Sequence, residues 1–221
     1  MPGPGVPPGS LREFGKHPLR KGTVVHRFYS MVRDPNIFNP CLGAPTRFAP
    51  LRIGGPSGTC VPTLYIGQTY EAAAFETIFR NLPPRPLPRR IYEQNLNGVG
   101  HARLRLTRNF LLAPFFHQNL GLIGQTRQTM IDTDATAYAD TVQWAACVYR
   151  SFPKFDGIIW ASHQHDRDFA CVLFGDRVSP GDLQIIPRSM KSVETGYGKT
   201  RLNRFARGFR IDIIRRYTLS T

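Results

Sequence analysis

Short stretches in which apolar residues alternate with polar ones, or form unbroken runs, recur along the chain and predict β-strands. They lie at residues 23–29, 64–67 and 101–106, and the two most apolar runs follow at 157–162 and 169–174. A polar segment separates the last two runs, which is the pattern of a β-hairpin. The chain is therefore expected to build a β-sheet.

Two segments carry helical periodicity instead. The first is predicted to begin at Thr69, whose side chain suits a helix N-cap, with Glu71 in the first turn, and to run to about residue 81. The second covers residues 136–152, where apolar side chains recur at spacings near three and four. Because helices and strands interleave irregularly, the predicted fold class is α+β, a mixed β-sheet core with flanking helices, rather than a repeating βαβ arrangement.

Three regions are expected along the chain. Residues 1–21 read as a flexible arm, since the first ten contain four prolines and three glycines. Residues 22–190 are predicted to form the folded domain. Residues 191–221 form a basic C-terminal segment that is expected to pack on the same domain.

Length and composition narrow the class of protein. A chain of 221 residues can bury a core of its own, and 41% hydrophobic with 20% charged residues excludes general disorder. The apolar runs are too short to cross a bilayer, and the first 20 residues lack the apolar stretch of a secretory signal. No membrane association is expected.

The four cysteines are Cys41, Cys60, Cys147 and Cys171. Since none belongs to a Cys-x-x-Cys pair, neither a zinc site nor a disulfide framework is predicted, and a reducing cytoplasm is the expected compartment.

Charge is the most pronounced feature of the composition. The chain has 29 basic and 15 acidic side chains, a formal net charge of +14. Such a field favours nucleic acid, an anionic small molecule or an acidic protein as partner, and does not choose among them.

The C-terminal segment concentrates part of this charge. Arg201, Arg204, Arg207 and Arg210 recur every three residues and would lie along one helix face. Two interpretations remain open: a stripe that grips the phosphates of nucleic acid, and a solvated face or one that docks an acidic partner.

Two other segments have weaker functional interpretations. Residues 163–168 offer metal-type ligands, but no further ligand has diagnostic spacing, and an ordinary polar turn is favoured. Residues 83–88 resemble a proline-rich recognition ligand, for which a stiff surface loop is the simpler interpretation.

Glu76 is the most informative single residue. At 100° per residue it falls inside the apolar stripe of its helix, between Ala72 and Ala73 and close to Phe79. A carboxylate in that position is costly unless it is paired or lines a cleft. A salt bridge to Arg80, four residues on, and a functional role explain it equally well.

Three further residues are unremarkable alone. Strand alternation places Ser162 on the same face as Ile158 and Trp160, Arg27 lies inside a predicted strand, and Arg47 lies in a proline-rich loop. They become informative only through the order in which they and the neighbouring motifs occur along the chain.

The ordered motifs resemble the RES domain family, which is named for its Arg, Glu and Ser and includes the toxins of RES–Xre toxin–antitoxin pairs. The similarity spans residues 23–178. The motifs are His26-Arg27-Phe28-Tyr29, Pro45-Thr46-Arg47-Phe48-Ala49-Pro50-Leu51, Thr63-Leu64-Tyr65-Ile66-Gly67, Ala72-Ala73-Ala74-Phe75-Glu76-Thr77, Asp156-Gly157-Ile158-Ile159-Trp160-Ala161-Ser162 and Val172-Leu173-Phe174. Many relatives have Gly-Gly-Arg-Trp-Asn in place of residues 45–49.

This resemblance implies an ADP-ribosyltransferase-like fold and action on NAD as substrate, with no metal. Glu76, Arg27 and Ser162 would be the catalytic residues. Arg27 and Arg47 would bind the diphosphate, and Tyr65 would stack on the nicotinamide.

The expected activity is that of a toxin-like enzyme that cleaves the nicotinamide–ribose bond, as a glycohydrolase or phosphorylase. A protein mono-ADP-ribosyltransferase is the alternative within the same chemistry, and a basic nucleic-acid-binding module is the alternative of another class. An Xre-like inhibitory antitoxin is the expected protein partner.

Overall fold

The structure is a computed structural model that describes residues 3–55, 57–82, 87–162 and 168–215. Over these residues the chain combines 13 strands with five α-helices, so the predicted α+β class is confirmed. The strands are β1 (His17–Leu19), β2 (Val24–Ser30), β3 (Leu51–Ile53), β4 (Thr59–Val61), β5 (Thr63–Gly67), β6 (Arg89–Tyr92), β7 (Val99–Leu106), β8 (Phe110–Pro114), β9 (Gly157–Ala161), β10 (Phe169–Phe174), β11 (Leu183–Ile185), β12 (Lys191–Ser192) and β13 (Ile211–Ile214). The helices are α1 (Tyr70–Thr77), α2 (His117–Leu122), α3 (Arg127–Met130), α4 (Tyr138–Ser151) and α5 (Gly196–Gly208).

Nine strands form one mixed sheet in the order β1-β8-β9-β10-β5-β2-β7-β11, with β12 also paired to β7. Neighbours are antiparallel except β8 and β9, which are parallel. The predicted hairpin is confirmed, because β9 and β10 pair antiparallel with Ile159 opposite Cys171. The remaining strands form two separate two-stranded sheets, β3–β4 and β6–β13.

Apolar side chains fill three regions around this sheet. Helix α4 packs Trp144 into a cluster with Phe48 and Trp160. A second cluster contains the inward residues of β5 and β7. Helices α1 and α5 share a third cluster, in which Phe75 and Leu202 are buried. The basic C-terminal segment therefore contributes to the core through one side of α5.

The start of α1 agrees with its prediction and its end does not. The Thr69 side chain accepts a hydrogen bond from the backbone N–H of Ala72 at 3.1 Å, as an N-cap does. The helix ends at Thr77 rather than near residue 81. The reason is local: the N–H groups of Ile78 and Phe79 both bond to the carbonyl of Ala74, which breaks the regular α-helical ladder.

The N-terminal segment is part of the folded unit, contrary to the boundary expected near Gly22. Strand β1 pairs with the edge of β8, and the indole N–H of Trp144 donates to the carbonyl of Gly5 at 2.9 Å. Leu11 is tied to α4 through the hydroxyl of Ser151. Residues that look like a proline- and glycine-rich arm thus cover one side of α4.

One cysteine pair is disulfide-bonded, so the expectation of no disulfide is wrong. Cys41 and Cys60 are joined, with their Cα atoms 6.0 Å apart, whereas Cys147 and Cys171 are free and buried. The bond connects the loop before β3 to strand β4. The cysteine content therefore gives no argument for a reducing compartment. Within the described part of the chain, no helix has the length and apolarity needed to cross a bilayer.

Two histidines face α1 and α5 from neighbouring strands. His26 Nδ1 and His101 Nε2 are 3.0 Å apart, and the two rings stack beside Tyr70. Burial, together with the charges of Arg201 and Arg103, lowers the pKa of His26 to about 4. Burial, followed by the charges of His26, Arg201 and Arg103, lowers the pKa of His101 to about 3.

The histidine pair makes stability depend on pH. Both rings are neutral in the folded state but bind protons in the unfolded chain below pH 6.5, the ordinary histidine value. The stabilisation should be complete above that pH and be lost as the pH falls from 6.5 through about 4 for His26 and about 3 for His101. We expect a decrease of about 2 kcal/mol in the free energy of unfolding, allowing for solvent screening of His26. Urea unfolding at several pH values measures it.

Two glutamine variants test this pH dependence, one at the buried pair and one as a control. His26→Gln/His101→Gln should flatten the profile, while His117→Gln, at an exposed histidine on α2, should leave it unchanged. A profile that keeps its slope without both buried histidines would contradict the assignment.

Candidate functional site

A cleft opens where β2 and β5 separate. These neighbouring strands share only the register pair His26 and Gly67, and then diverge. The space between them has a volume of about 310 Å³. Its walls include Arg27 and Tyr29 from β2 and Tyr65 from β5, together with Glu76 from α1.

Helix α1 is held tightly against the start of this cleft. A Cβ atom added to Gly67 would lie 2.3 Å from the backbone nitrogen of Ala73, so only glycine allows the helix to approach the strand so closely. The Thr69 hydroxyl also donates to Asp168 at 2.6 Å, just before β10. The position of Glu76, two turns into this helix, is thereby set by its contacts with the sheet.

Ser162 follows β9 and reaches the same point from the other side. Its backbone N–H donates to the carbonyl of Asp168, and the guanidinium of Arg127 donates to the carbonyls of Ala161 and Ser162. The Ser162 hydroxyl is fully buried and donates to Glu76 Oε1 at 2.8 Å. The structure thus brings together two of the predicted catalytic residues, which are 86 positions apart in sequence.

The Glu76 carboxylate is oriented by Ser162 rather than by Arg80. Glu76 is 9% exposed and lines the cleft, as its place in the apolar stripe predicts. Arg80 lines the cleft too, but no ion pair joins these two described residues. The salt-bridge interpretation of Glu76 is therefore wrong.

Arg27 has two roles in the cleft wall. Its Nη1 donates to the carbonyls of Pro35 at 2.6 Å and Ile37 at 3.0 Å, which ties down the loop after β2. Burial lowers the pKa of its guanidinium to about 10, so it remains positively charged at neutral pH. Its other guanidinium nitrogens make no hydrogen bond with the described residues and can serve an anion in the cleft.

Tyr65 is anchored at its hydroxyl end. The hydroxyl accepts the backbone N–H of Phe48 at 2.9 Å and shares a hydrogen bond with the Thr46 hydroxyl at 3.0 Å. Burial raises the pKa of Tyr65 to about 12, so the phenol stays neutral. Its ring lines the cleft and meets Trp160 edge-on.

Arg47 lies behind the cleft wall, unlike its neighbours Thr46 and Ala49, which line the cleft. It is 4% exposed, and its Nε and Nη1 atoms have no hydrogen-bond partner in the described structure. Its guanidinium lies 5.7 Å from the ring centre of Tyr138. A buried guanidinium with unmet donors is costly, and an anion would satisfy it.

Sequence reasoning missed several residues of the cleft. Arg33 and Asp34 come from the loop after β2, and Arg80 lies one turn beyond Glu76. The spacing of Glu76 and Arg80 by four was a usable signal, but it pointed to a salt bridge. With Arg27, three guanidiniums and two carboxylates line the cleft, which favours an anion.

The remaining sequence candidates are the polar turn, the proline-rich segment and the arginines of the C-terminal segment. The turn at 163–167 and the proline-rich residues 83–86 fall outside the described residues. In the described ranges, no group of three or more His, Cys, Asp or Glu side chains is arranged to hold a metal ion. The four arginines expected on one helix face are separated, since Arg210 lies beyond the end of α5 and Arg201 packs 3.9 Å over the ring of Tyr70.

Comparison with protein families gives one finding. The family model described as RES domain matches residues 25–192 of this chain, which is more than half of its length. No curated protein matches the chain. The matched region contains every residue of the cleft and both ends of the Ser162–Glu76 hydrogen bond.

Proposed function

The chain belongs to the RES domain family, and from that premise we propose that it cleaves the bond between nicotinamide and ribose in NAD. The observation that carries the proposal is the buried Glu76 carboxylate, which faces the cleft and is oriented by the Ser162 hydroxyl. A metal has no role in this proposal.

The cleft suits part of a dinucleotide. Its volume of about 310 Å³ lies at the lower end of the range of ligand sites. We assign the nicotinamide and its ribose to the interior, beside Tyr65 and Glu76. The diphosphate then lies against Arg27 and Arg80, and Arg47 adds positive charge from behind the wall.

The reaction mainly requires that the substrate is positioned and that the charge developing on the ribose is stabilised. The C1′–N bond breaks, its electron pair leaves with the nicotinamide nitrogen, and positive charge develops on the ribose. Glu76 stabilises that charge and holds a ribose hydroxyl. An acceptor oxygen then bonds to C1′ and releases its proton. Among the described residues the Ser162 hydroxyl bonds to the Glu76 carboxylate, which it orients, and we therefore assign to that serine a positioning role.

The acceptor decides the name of the activity. Water makes the protein a glycohydrolase, inorganic phosphate a phosphorylase, and a protein side chain an ADP-ribosyltransferase. We favour NAD breakdown, because family toxins that deplete NAD need no macromolecular acceptor site. An inhibitory antitoxin that blocks the cleft is the protein partner that this proposal implies.

The direct test is incubation of the purified protein with NAD, with and without phosphate, followed by mass spectrometry of the products. Release of nicotinamide, with ADP-ribose or its 1″-phosphate as the second product, supports the proposal and identifies the acceptor. Intact NAD under both conditions would refute it.

Arg80 should contribute to substrate binding more than to the chemical step. Arg80→Gln is expected to raise KM for NAD about tenfold with kcat nearly unchanged, because a contact to the diphosphate is equally strong in the ground and transition states. Steady-state kinetics of nicotinamide release measure both constants.

Arg80→Lys is the matched control for charge. It should recover part of the affinity, since lysine keeps the positive charge but loses the bidentate geometry. An unchanged KM in Arg80→Gln would exclude Arg80 from the diphosphate site.

A further inference from the structure

A second concentration of positive charge lies on the face of the sheet that carries α5. On β7, His101, Arg103 and Arg105 alternate with buried residues and so share one face. His101 is covered by Tyr70, whereas Arg103 and Arg105 are exposed. The exposed positive charge of β7 therefore lies on the part of the sheet that α1 and α5 do not cover.

The segment between β11 and α5 adds to the same surface. The Ser189 hydroxyl bonds to the backbone of Arg103, which places the exposed Arg188 beside it. Lys191 lies opposite His101 in the β12–β7 pair. A Cβ atom added to Gly198 would lie 3.3 Å from Lys191 Cβ, so this lysine borders the first turn of α5.

Helix α5 completes the surface with Tyr197 and Arg201, which are one turn apart. Arg201 lies 3.9 Å over the ring of Tyr70, and Tyr197 is 67% exposed. Arg201 lies over Tyr70, whose ring packs against His101 of β7, so α5 and β7 meet here. We call this surface the basic face; it comprises Arg103, Arg105, Arg188, Lys191, Tyr197 and Arg201.

Carboxylate partners are absent from the cations of the basic face, as far as the structure describes the chain. In the described structure none of these five side chains forms an ion pair, whereas Arg108 and Arg127 are each held by aspartates. The carboxylate of Glu71 is close enough to raise the pKa of Tyr70, so it borders the basic face. Arginines without ion-pair partners beside an exposed aromatic ring suit phosphates and unstacked bases.

The basic face is distinct from the cleft. His26 and Arg103 point to the side of the sheet that carries α5, whereas Arg27, the next residue on β2, turns away from them into the cleft wall. None of the six residues of the basic face lines the cleft. A ligand bound here would leave the proposed NAD site accessible.

We propose that the basic face binds single-stranded nucleic acid, with the arginines and Lys191 on consecutive phosphates and the Tyr197 ring stacked on a base. An acidic protein would satisfy the charges but would have no planar group for Tyr197. A duplex would keep its bases stacked on each other and out of reach of that ring.

The test is fluorescence anisotropy with a labelled single-stranded oligonucleotide of mixed sequence, titrated at two salt concentrations. Arg103→Gln/Arg105→Gln should weaken binding about tenfold and reduce the salt slope by about 1.4, since each phosphate contact on a single strand contributes about 0.7. Tyr197→Ala should weaken binding about tenfold through loss of stacking.

The matched control is Arg12→Gln/Arg150→Gln. It removes the same net charge from two exposed positions on the N-terminal segment and α4, and should leave affinity unchanged. If both double variants weakened oligonucleotide binding equally, binding would depend on net charge alone and the proposal would be wrong. The proposal would also be overturned if duplex bound as well as the single strand and Tyr197→Ala had no effect on affinity. Competition by polyglutamate as effective as competition by the unlabelled strand would overturn it too.

This test is independent of the NAD proposal. Arg103→Gln/Arg105→Gln should retain full nicotinamide release, because neither residue lines the cleft. Loss of oligonucleotide binding with intact turnover supports the basic face. Failure to bind the oligonucleotide in the unaltered protein overturns it, whatever the protein does to NAD.

Discussion

Glu76→Gln should lower the rate of nicotinamide release from NAD at least about a hundredfold, corresponding to about 3 kcal/mol in the barrier. The physical reason is the loss of the negative charge that stabilises the developing positive charge on the ribose. Steady-state nicotinamide release, measured beside the unaltered protein, gives the effect directly. The decrease should fall on kcat, since the charge acts mainly in the transition state.

The substitution should spare the fold. Glutamine has the shape of glutamate, and its amide oxygen can still accept the Ser162 hydroxyl, which donates to Glu76 Oε1 at 2.8 Å. Thermal unfolding beside the unaltered protein checks that the fold is retained. A folded Glu76→Gln protein with unchanged turnover would remove the proposed mechanism.

Glu71→Gln is the matched control on the same helix. Glu71 lies in the first turn of α1 and does not line the cleft, so the same change from carboxylate to amide should leave turnover within about twofold. Ser162→Ala should have an intermediate effect, because the carboxylate remains but is no longer oriented. A Ser162→Ala protein as inactive as Glu76→Gln would indicate that the serine itself contacts the reacting atoms.

Removal of the disulfide should have the largest effect on stability. Cys41→Ala/Cys60→Ala is expected to lower the free energy of unfolding by about 3 kcal/mol, the value typical of a closed loop of this size. The bond joins residues 19 apart, and the loop between them includes Thr46, Ala49 and Pro50 of the cleft wall. Urea unfolding of the variant and of the unaltered protein measures the difference.

Reductant provides the control for this prediction. It should destabilise the unaltered protein to the level of the double variant and leave the variant unchanged. Equal stability of the two proteins without reductant would show that the bond contributes nothing to the folded state. Because Asn39 and Leu42 flank Cys41 and line the cleft, KM for NAD should also rise when the bond is absent.

Local features of the chain were readable from the sequence. The hairpin of β9 and β10, the N-cap of α1 and the place of Glu76 in its apolar stripe all depend on residues within a few positions of each other. The ordered motifs identified the family, and the family match covers the region that they span.

Features that depend on distant residues were not readable. The bond between Cys41 and Cys60 has no diagnostic spacing, and strand β1 is hidden in a segment whose composition is typical of a flexible arm. Arg80 looked like a partner for Glu76, because spacing shows which side chains can meet but not which partner each one takes.

The sequence by itself determined the α+β class, the family and the importance of Glu76, which lines the cleft, and of Ser162, which bonds to it. Only the tertiary structure decided that β2 and β5 part after a single register pair to open that cleft, and that arginines of β7 and α5 share one exposed face. The physical reason is that periodicity and capping are set by neighbouring residues, whereas a cleft and a charged surface are set by the packing of segments far apart in the chain.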